Sequence, residues 1–132
     1  MSLPSAFKVA ALQMVSTPRV EENLAGAGRL IAQAAAQGAK LVALPEYFCI
    51  FGMRDRDKVA AKERDGAGPI QDFLSKAAAL HGVWLVGGSV PLECADAAKV
   101  RNSCLVYDAT GRRVARYDKI HLFGLELGEE RF

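Results

Sequence analysis

Several features that would assign this chain to a specialised class of protein are missing from its sequence. The 132 residues contain no apolar run long enough to span a membrane and no signal-peptide core, and Lys8 is the only charge near the N-terminus. Net charge is only +2, from 17 basic and 15 acidic residues that are interspersed. The sequence therefore predicts a cytoplasmic protein that binds neither a membrane nor nucleic acid.

Cysteine and histidine are also scarce. Three cysteines, Cys49, Cys94 and Cys104, stand at irregular spacing without a CxxC pair, which argues against a disulfide framework. The two histidines, His81 and His121, are far apart in sequence. Their spacing alone therefore assembles no metal-ligand cluster.

Hydrophobic patterning predicts an α/β domain. About half of the residues are apolar, and 132 residues suffice for one domain with a core. An apolar strand is expected over Phe7–Val15, and a helix begins at Thr17-Pro18 and ends at Gly38. The strand Leu41–Leu44 follows at once, so this is a βαβ unit with parallel strands.

The rest of the chain is predicted to add a further helix and strand and then a hairpin. The charged segment Arg54–Arg64 could form a short exposed helix, although a solvated surface segment is the favoured interpretation. The further elements are a helix over Pro69–His81, a strand over Val83–Gly88, and strands Asn102–Tyr107 and Arg113–Tyr117 joined by the turn Asp108–Gly111. An irregular tail is expected after Phe123.

Two charged residues stand where strands are predicted to end. Glu46 follows the buried strand after Pro45, and Lys119 follows the hairpin. Ligand sites in α/β sheets lie just past the carboxyl ends of strands, where a glutamate can move a proton and a lysine can stabilise an oxyanion. The alternative is a salt bridge without a catalytic role. Tyr47 and Phe48 either line a substrate pocket or pack beneath Glu46.

Four segments, in the same order, resemble the nitrilase (carbon–nitrogen hydrolase) superfamily, over essentially the whole chain. They are Val9–Met14 (VAALQM), Leu44–Phe48 (LPEYF), Asn102–Gly111 (NSCLVYDATG) and Tyr117–Phe123 (YDKIHLF). The resemblance implies an α-β-β-α sandwich of the nitrilase type, of which residues 1–132 are the N-terminal part of a single domain. It also implies a homo-oligomer and a reaction that needs neither an organic cofactor nor a metal.

The same resemblance implies a Glu-Lys-Cys triad. Glu46 corresponds to the general base, Lys119 to the residue that stabilises the oxyanion, and His121 to a residue that shapes the site from behind. The cysteine nucleophile of the family lies well beyond the lysine, so we expect it outside residues 1–132, which alone would be inactive. The expected substrate is a small linear amide, of the kind hydrolysed by omega-amidase or deaminated-glutathione amidase, or else a nitrile.

Three alternatives remain open. The chain could be a non-catalytic fragment or binding module derived from such an enzyme, or part of a true nitrilase. It could also be a different hydrolase that uses Cys49, the cysteine expected to lie near Glu46. A small, buried and inert residue that lines the pocket wall is the favoured interpretation for Cys49, and Cys104 is expected to be a packing residue within the hairpin.

Overall fold

The computed structural model describes residues 6–121, 126–127 and 130–131. Most of its backbone belongs to one mixed sheet and three helices. The strands are β1 Lys8–Ala11, β2 Ala39–Ala43, β3 Trp84–Val86, β4 Val90–Glu93, β5 Val100–Tyr107, β6 Arg113–Asp118, β7 Glu126–Leu127 and β8 Glu130–Arg131; the helices are α1 Val20–Ala36, α2 Asp55–Ala61 and α3 Pro69–His81. The last two strands form a separate two-stranded pair.

The large sheet joins a parallel half to an antiparallel half. Its order is β1-β2-β3-β5-β4, and β6 pairs with β5. The strands β1, β2 and β3 are parallel, which the βαβ pattern predicts for β1 and β2, whereas β5 runs antiparallel to β3, β4 and β6. The carboxyl ends of β2 and β3 therefore lie side by side, and β5 passes beside them.

Helices α1 and α3 pack together on one face of the sheet and enclose the core. The apolar stripe of α1 includes Ala27 and Ile31, and Leu74 of α3 meets the same core; all three are completely buried. Helix α3 starts at Pro69, as predicted, and ends at Gly82, which adopts the left-handed conformation of a helix terminus.

The structure corrects several predicted boundaries. The first strand ends at Ala11 rather than Val15, and α1 begins at Val20 rather than at Thr17-Pro18 because the preceding Arg19 has an extended backbone. The structure also contains β4, which the sequence did not predict. Its Pro91 discourages a strand assignment, but β4 is the terminal strand of the sheet path, where proline is tolerated.

The charged segment Arg54–Arg64 is more ordered than a simple solvated loop. It contains α2, in which Asp57 caps the helix start by accepting a hydrogen bond from the backbone N–H of Arg54 at 3.0 Å. No residue of α2 itself is buried. Glu63, just beyond it, is buried and accepts hydrogen bonds from the N–H groups of Ile70 and Gln71 at the start of α3.

No helix in the described part of the chain is long and apolar enough to cross a membrane. Within the same residues, histidine, cysteine and acidic side chains form no cluster that could hold a metal ion.

Candidate active site

A tight turn after β2 carries Glu46 to the end of the sheet. The backbone N–H of Leu44 still pairs with the carbonyl of Val86 on β3 at 2.9 Å, and the chain then turns at Pro45. Tyr47 has a φ of 47°, the left-handed region that non-glycine residues seldom occupy. This backbone conformation, placed directly after Glu46, is characteristic of a functional turn.

The neighbouring segment Gly88-Ser89 holds this turn in place. Gly88 has a φ of 57°, and a Cβ atom added there would lie 2.0 Å from the carbonyl oxygen of Pro45. Only glycine allows so close an approach of the two backbones. Ser89 is buried, and its Oγ accepts a hydrogen bond from the N–H of Tyr47 at 3.0 Å. The left-handed residue is therefore fixed from the neighbouring strand end.

Glu46 and Lys119 are brought together, although 73 positions separate them. The Lys119 Nζ lies 2.9 Å from Oε1 of Glu46, and Nδ2 of Asn102 donates to the same oxygen at 2.7 Å. These two hydrogen bonds, from Lys119 first and Asn102 second, lower the pKa of Glu46 against an opposing effect of desolvation. Glu46 is therefore ionised at neutral pH, beside a cation.

Lys119 follows directly after β6, whose end is held by polar contacts. Its backbone N–H donates to the carbonyl oxygen of Asn102 at 2.9 Å. The preceding residue, Asp118, accepts a hydrogen bond from the hydroxyl of the buried Ser103 at 2.6 Å and pairs with Arg116 at 2.8 Å. The backbone that carries the ammonium group is thus tied to β5.

A shallow cleft of about 320 Å³ surrounds the Glu46–Lys119 pair. It is lined by Leu44, Glu46, Val86, Gly88, Ser89, Asn102, Cys104, Tyr117 and Lys119. A larger groove of about 590 Å³ between the β1 end and α1 contains none of the predicted site residues. We assign the candidate site to the smaller cleft because, of these two, it is the one in which a carboxylate and an ammonium meet apolar walls.

The structure separates the two aromatic candidates. Phe48 is fully buried and packs against Phe73 with ring centroids 6.3 Å apart, so its position matches the packing alternative and not the pocket wall. Tyr47 is half-buried and lies outside the set of residues that line the cleft. Its ring contacts the ammonium group of Lys58, which lies 4.4 Å from the ring centroid.

Cys49 and Cys104 differ in their relation to the cleft. Cys49 is completely buried, as its favoured interpretation predicts, although it is not among the residues that line the cleft, and burial raises the pKa of its thiol to about 12. Cys104 instead lines the cleft, because its side chain lies on the opposite face of β5 from Leu105. Cys104 lies within a hairpin strand, as predicted, but its place in the cleft wall contradicts the prediction that it is only a packing residue. Partial burial also raises the pKa of Cys104.

His121 lies two residues beyond Lys119 with an exposed side chain. Its supporting role stays a prediction. The residues that sequence reasoning missed are Gly88, Ser89 and Asn102, none of which has a local signal of function. The Asn102–Gly111 resemblance contains Asn102, but only the fold reveals its contact with Glu46.

Comparison with known proteins identifies the class. The carbon–nitrogen hydrolase family model matches residues 8–132, so this chain belongs to the carbon–nitrogen hydrolase family. It is 37% identical over 128 residues to the omega-amidase NIT2 of Xenopus tropicalis, covering 96% of this chain and 45% of the relative. The human omega-amidase NIT2 is 36% identical over 124 residues, covering 93% of this chain and 43% of the relative.

Solved structures support the same fold. The C. elegans NitFhit protein superposes with a TM-score of 0.76 at 30% identity, covering 94% of this chain and 30% of that protein. An amidase from Nesterenkonia gives a TM-score of 0.74 at 25% identity, covering 90% of this chain and 44% of the amidase. The predicted nitrilase-type α/β fold class and the resemblance to that superfamily are confirmed. The chain spans a little under half the length of the curated relatives named here.

Proposed function

We propose that this chain provides the base and the oxyanion-stabilising lysine of an enzyme that hydrolyses small linear amides. The observation that carries the proposal is the contact between Glu46 and Lys119 inside the cleft. Family membership and the similarity to omega-amidases support amide carbon–nitrogen bond hydrolysis as the reaction. A terminal amide of a short carboxylic acid is the proposed substrate class.

In the proposed reaction a thiol attacks the amide carbonyl carbon, and Glu46 accepts the thiol proton. The ammonium of Lys119 stabilises the oxyanion of the tetrahedral intermediate. Collapse breaks the carbon–nitrogen bond, and ammonia leaves with the proton that Glu46 returns. Glu46 then takes a proton from water as the water oxygen attacks the thioester carbon. The carbon–sulfur bond breaks and the carboxylic acid leaves, and Glu46 returns the proton to the sulfur to give the free thiol.

The nucleophilic thiol is proposed to come from a cysteine outside these 132 residues. Cys49 is sealed in the core, which favours inert packing over the hydrolase that would use it. Cys104 lines the cleft, but burial raises the pKa of its thiol, and the Lys119 ammonium is bonded to Glu46. Neither thiol has the cationic surroundings that produce a reactive thiolate.

The lowered pKa of Glu46 belongs to a cleft that is open to water, where its side chain is 56% exposed. Substrate or further protein that excludes water would raise this pKa, because desolvation disfavours the charged carboxylate. A higher pKa makes Glu46 a stronger base near neutral pH. The proposed chemistry therefore requires that the cleft be covered.

The test uses the full-length protein that carries this sequence, with ammonia release from terminal amides of short dicarboxylic acids as the readout. Glu46→Gln keeps the side-chain shape and removes the base, so kcat should fall at least about a hundredfold while the fold is retained. Glu21→Gln, an exposed residue in the first turn of α1, is the matched control and should leave kcat unchanged. Retained turnover in Glu46→Gln would remove Glu46 from the mechanism.

The alternatives predict different outcomes in the same assay. A non-catalytic binding module would release no ammonia from any amide, and a true nitrilase would consume nitriles in preference to amides. If Cys104→Ser or Cys49→Ser abolished turnover in a folded protein, the nucleophile would lie within this chain. Cytoplasmic location, predicted from the lack of a signal-peptide core, and homo-oligomeric assembly, implied by the resemblance, both stay predictions.

A further inference from the structure

One buried residue touches both members of the proposed catalytic pair. Asn102 lies on β5 and is only 5% exposed. Its Nδ2 donates to Oε1 of Glu46 at 2.7 Å, while its backbone carbonyl oxygen accepts the N–H of Lys119 at 2.9 Å. A single residue thus joins the carboxylate side chain to the backbone of the lysine.

The strand pairing explains why Asn102 can do this. Ser103 on β5 pairs with Asp118 on β6, so the hydrogen bond between Asn102 and Lys119 continues the β5–β6 ladder by one step. On its other side, Asn102 lies opposite Pro91 of β4. Its backbone is therefore held between two strands, which leaves the buried side chain little freedom to move.

Both donors bind the same carboxylate oxygen. Lys119 Nζ and Asn102 Nδ2 converge on Oε1, and among residues 6–121 no hydrogen bond reaches Oε2 of Glu46. A carboxylate oxygen that is already engaged by two donors is the poorer proton acceptor of the pair. The geometry therefore distinguishes the two oxygens of Glu46.

We propose that Asn102 is a positioning residue that holds Oε1 of Glu46, so that Oε2 is the oxygen that receives the proton from the nucleophile. This inference rests on the proposed function for its catalytic consequence, but its structural content, the Asn102–Glu46 contact, can be tested without activity. Asn102 acts through Glu46 and does not itself exchange a proton.

Two variants at Asn102 separate orientation from simple packing. Asn102→Leu keeps the branched shape of the side chain and removes the amide NH2 group that donates to Glu46. Asn102→Asp also keeps the shape, but it places a second carboxyl group against Glu46. Asn23→Leu is the matched control, because Asn23 is also a buried asparagine but donates to the carbonyls of Thr17 and Cys49 instead of to Glu46.

The first readout is the pKa of Glu46, measured by carbon-13 NMR titration of its carboxyl carbon in the full-length protein. Asn102→Leu should raise this pKa, because a hydrogen bond to the ionised form is lost. Asn102→Asp should raise it further through like-charge repulsion. Asn23→Leu should leave it unchanged although it destabilises the fold.

The second readout is steady-state kinetics on a terminal amide. Without the Asn102 contact the carboxylate can rotate Oε2 away from the nucleophile, so kcat for Asn102→Leu should fall about tenfold to a hundredfold even though the raised pKa makes Glu46 a stronger base. KM should change by less than about threefold, because the interaction acts on the base and not on substrate binding. The acidic limb of kcat/KM should move to higher pH.

The outcomes are distinct. An unchanged pKa of Glu46 in both Asn102 variants would overturn the proposed contact, and an unchanged kcat in an active, folded Asn102→Leu protein would overturn its catalytic role. If Asn102→Leu does not fold, the pKa of Glu46 in Asn102→Asp decides whether the contact exists. If the unaltered protein releases no ammonia from any amide, the proposed function fails, whereas the NMR titration still tests Asn102.

Discussion

The two faces of the sheet differ in almost every physical respect. The face covered by α1 and α3 presents Val42 and Leu85, both completely buried. On the opposite face, Val9 is 63% exposed, Trp84 is 46% exposed and Tyr117 is 60% exposed. Adjacent residues of one strand, Trp84 and Leu85, thus lie in opposite environments. The buried core therefore lies on the helical face, whereas the candidate site opens on the opposite face.

The difference shows that the open face is suited to further packing. Val9, Leu41 and Trp84 are aligned across β1, β2 and β3 by their register, so their apolar side chains form a continuous row. An α-β-β-α sandwich places a second sheet on such a surface. The same covering would remove water from the Glu46 cleft and raise the pKa of Glu46, the proposed base.

The largest expected effect concerns the turn after β2, which places Glu46 at the open face of the sheet. Gly88→Ala should lower the free energy of unfolding by about 3 kcal/mol or more, because the new Cβ would collide with the carbonyl of Pro45. Gly82→Ala is the control: φ is 61°, close to the 57° of Gly88, but the space around Gly82 is open. It should cost only about 1–2 kcal/mol. If urea unfolding showed that Gly88→Ala and Gly82→Ala lower the free energy of unfolding equally, a collision with Pro45 would be refuted as the cause.

A matched pair of valines compares the two faces directly. Val42→Ala should lower the free energy of unfolding of the 132-residue chain by about 2–3 kcal/mol, because two buried methyl groups are lost and a cavity remains. Val9→Ala, on the neighbouring strand, should change it by less than about 0.5 kcal/mol. In a longer protein that covers the open face, Val9→Ala should lower the free energy of unfolding by more than it does in the 132-residue chain. Chemical denaturation measures the change for both variants.

Trp84 is the single tryptophan, so its fluorescence reports on the open face alone. In the 132-residue chain we expect an emission maximum near that of a partly hydrated indole, and a shift to shorter wavelength as the chain associates at higher concentration. Trp84→Lys should suppress that association. A chain that stays a monodisperse monomer at all concentrations would contradict the prediction that this surface self-associates.

The smallest effect is expected at the charged edge of the sheet. Asp65 pairs with Arg113 and, at 3.1 Å, with Arg116, and these contacts hold its pKa below the ordinary value. Its stabilising contribution is therefore present at neutral pH and is lost as pH falls through the lowered pKa. Asp65→Asn should cost about 0.5 kcal/mol or less at pH 7 and nothing at strongly acidic pH, because these groups are partly exposed. Thermal unfolding at several pH values tests this.

Much of the fold could be predicted from local patterns. The apolar period of α1, the Pro69 start and Gly82 end of α3, and the run before Pro45 are local signals that tertiary packing reinforces. Strand β4 was missed because proline usually interrupts strands. Helix α2 was not the favoured prediction because its start is capped by the side chain of Asp57, three residues after Arg54, and not by a residue that precedes the helix. Boundaries near Thr17 were misjudged because Arg19, not Thr17, precedes the helix.

The site was predictable only in part. Glu46 and Lys119 were identified by their strand-end positions and by the family resemblance, and the structure brings them together. The roles of Gly88, Ser89 and Asn102 depend on which strands become neighbours, information that no local pattern contains. Cys104 was misjudged because alternation along a strand does not by itself say which face stays open.

The central claim is that Glu46 and Lys119 act as one catalytic unit. A double-mutant cycle on kcat for amide hydrolysis by the full-length protein tests it, with Glu46→Gln, Lys119→Met and the double variant, each checked for folding. If the two residues form one unit, the double variant should lose about as much activity as the more damaging single variant. Losses that simply multiply would show that the residues act independently and would contradict the account.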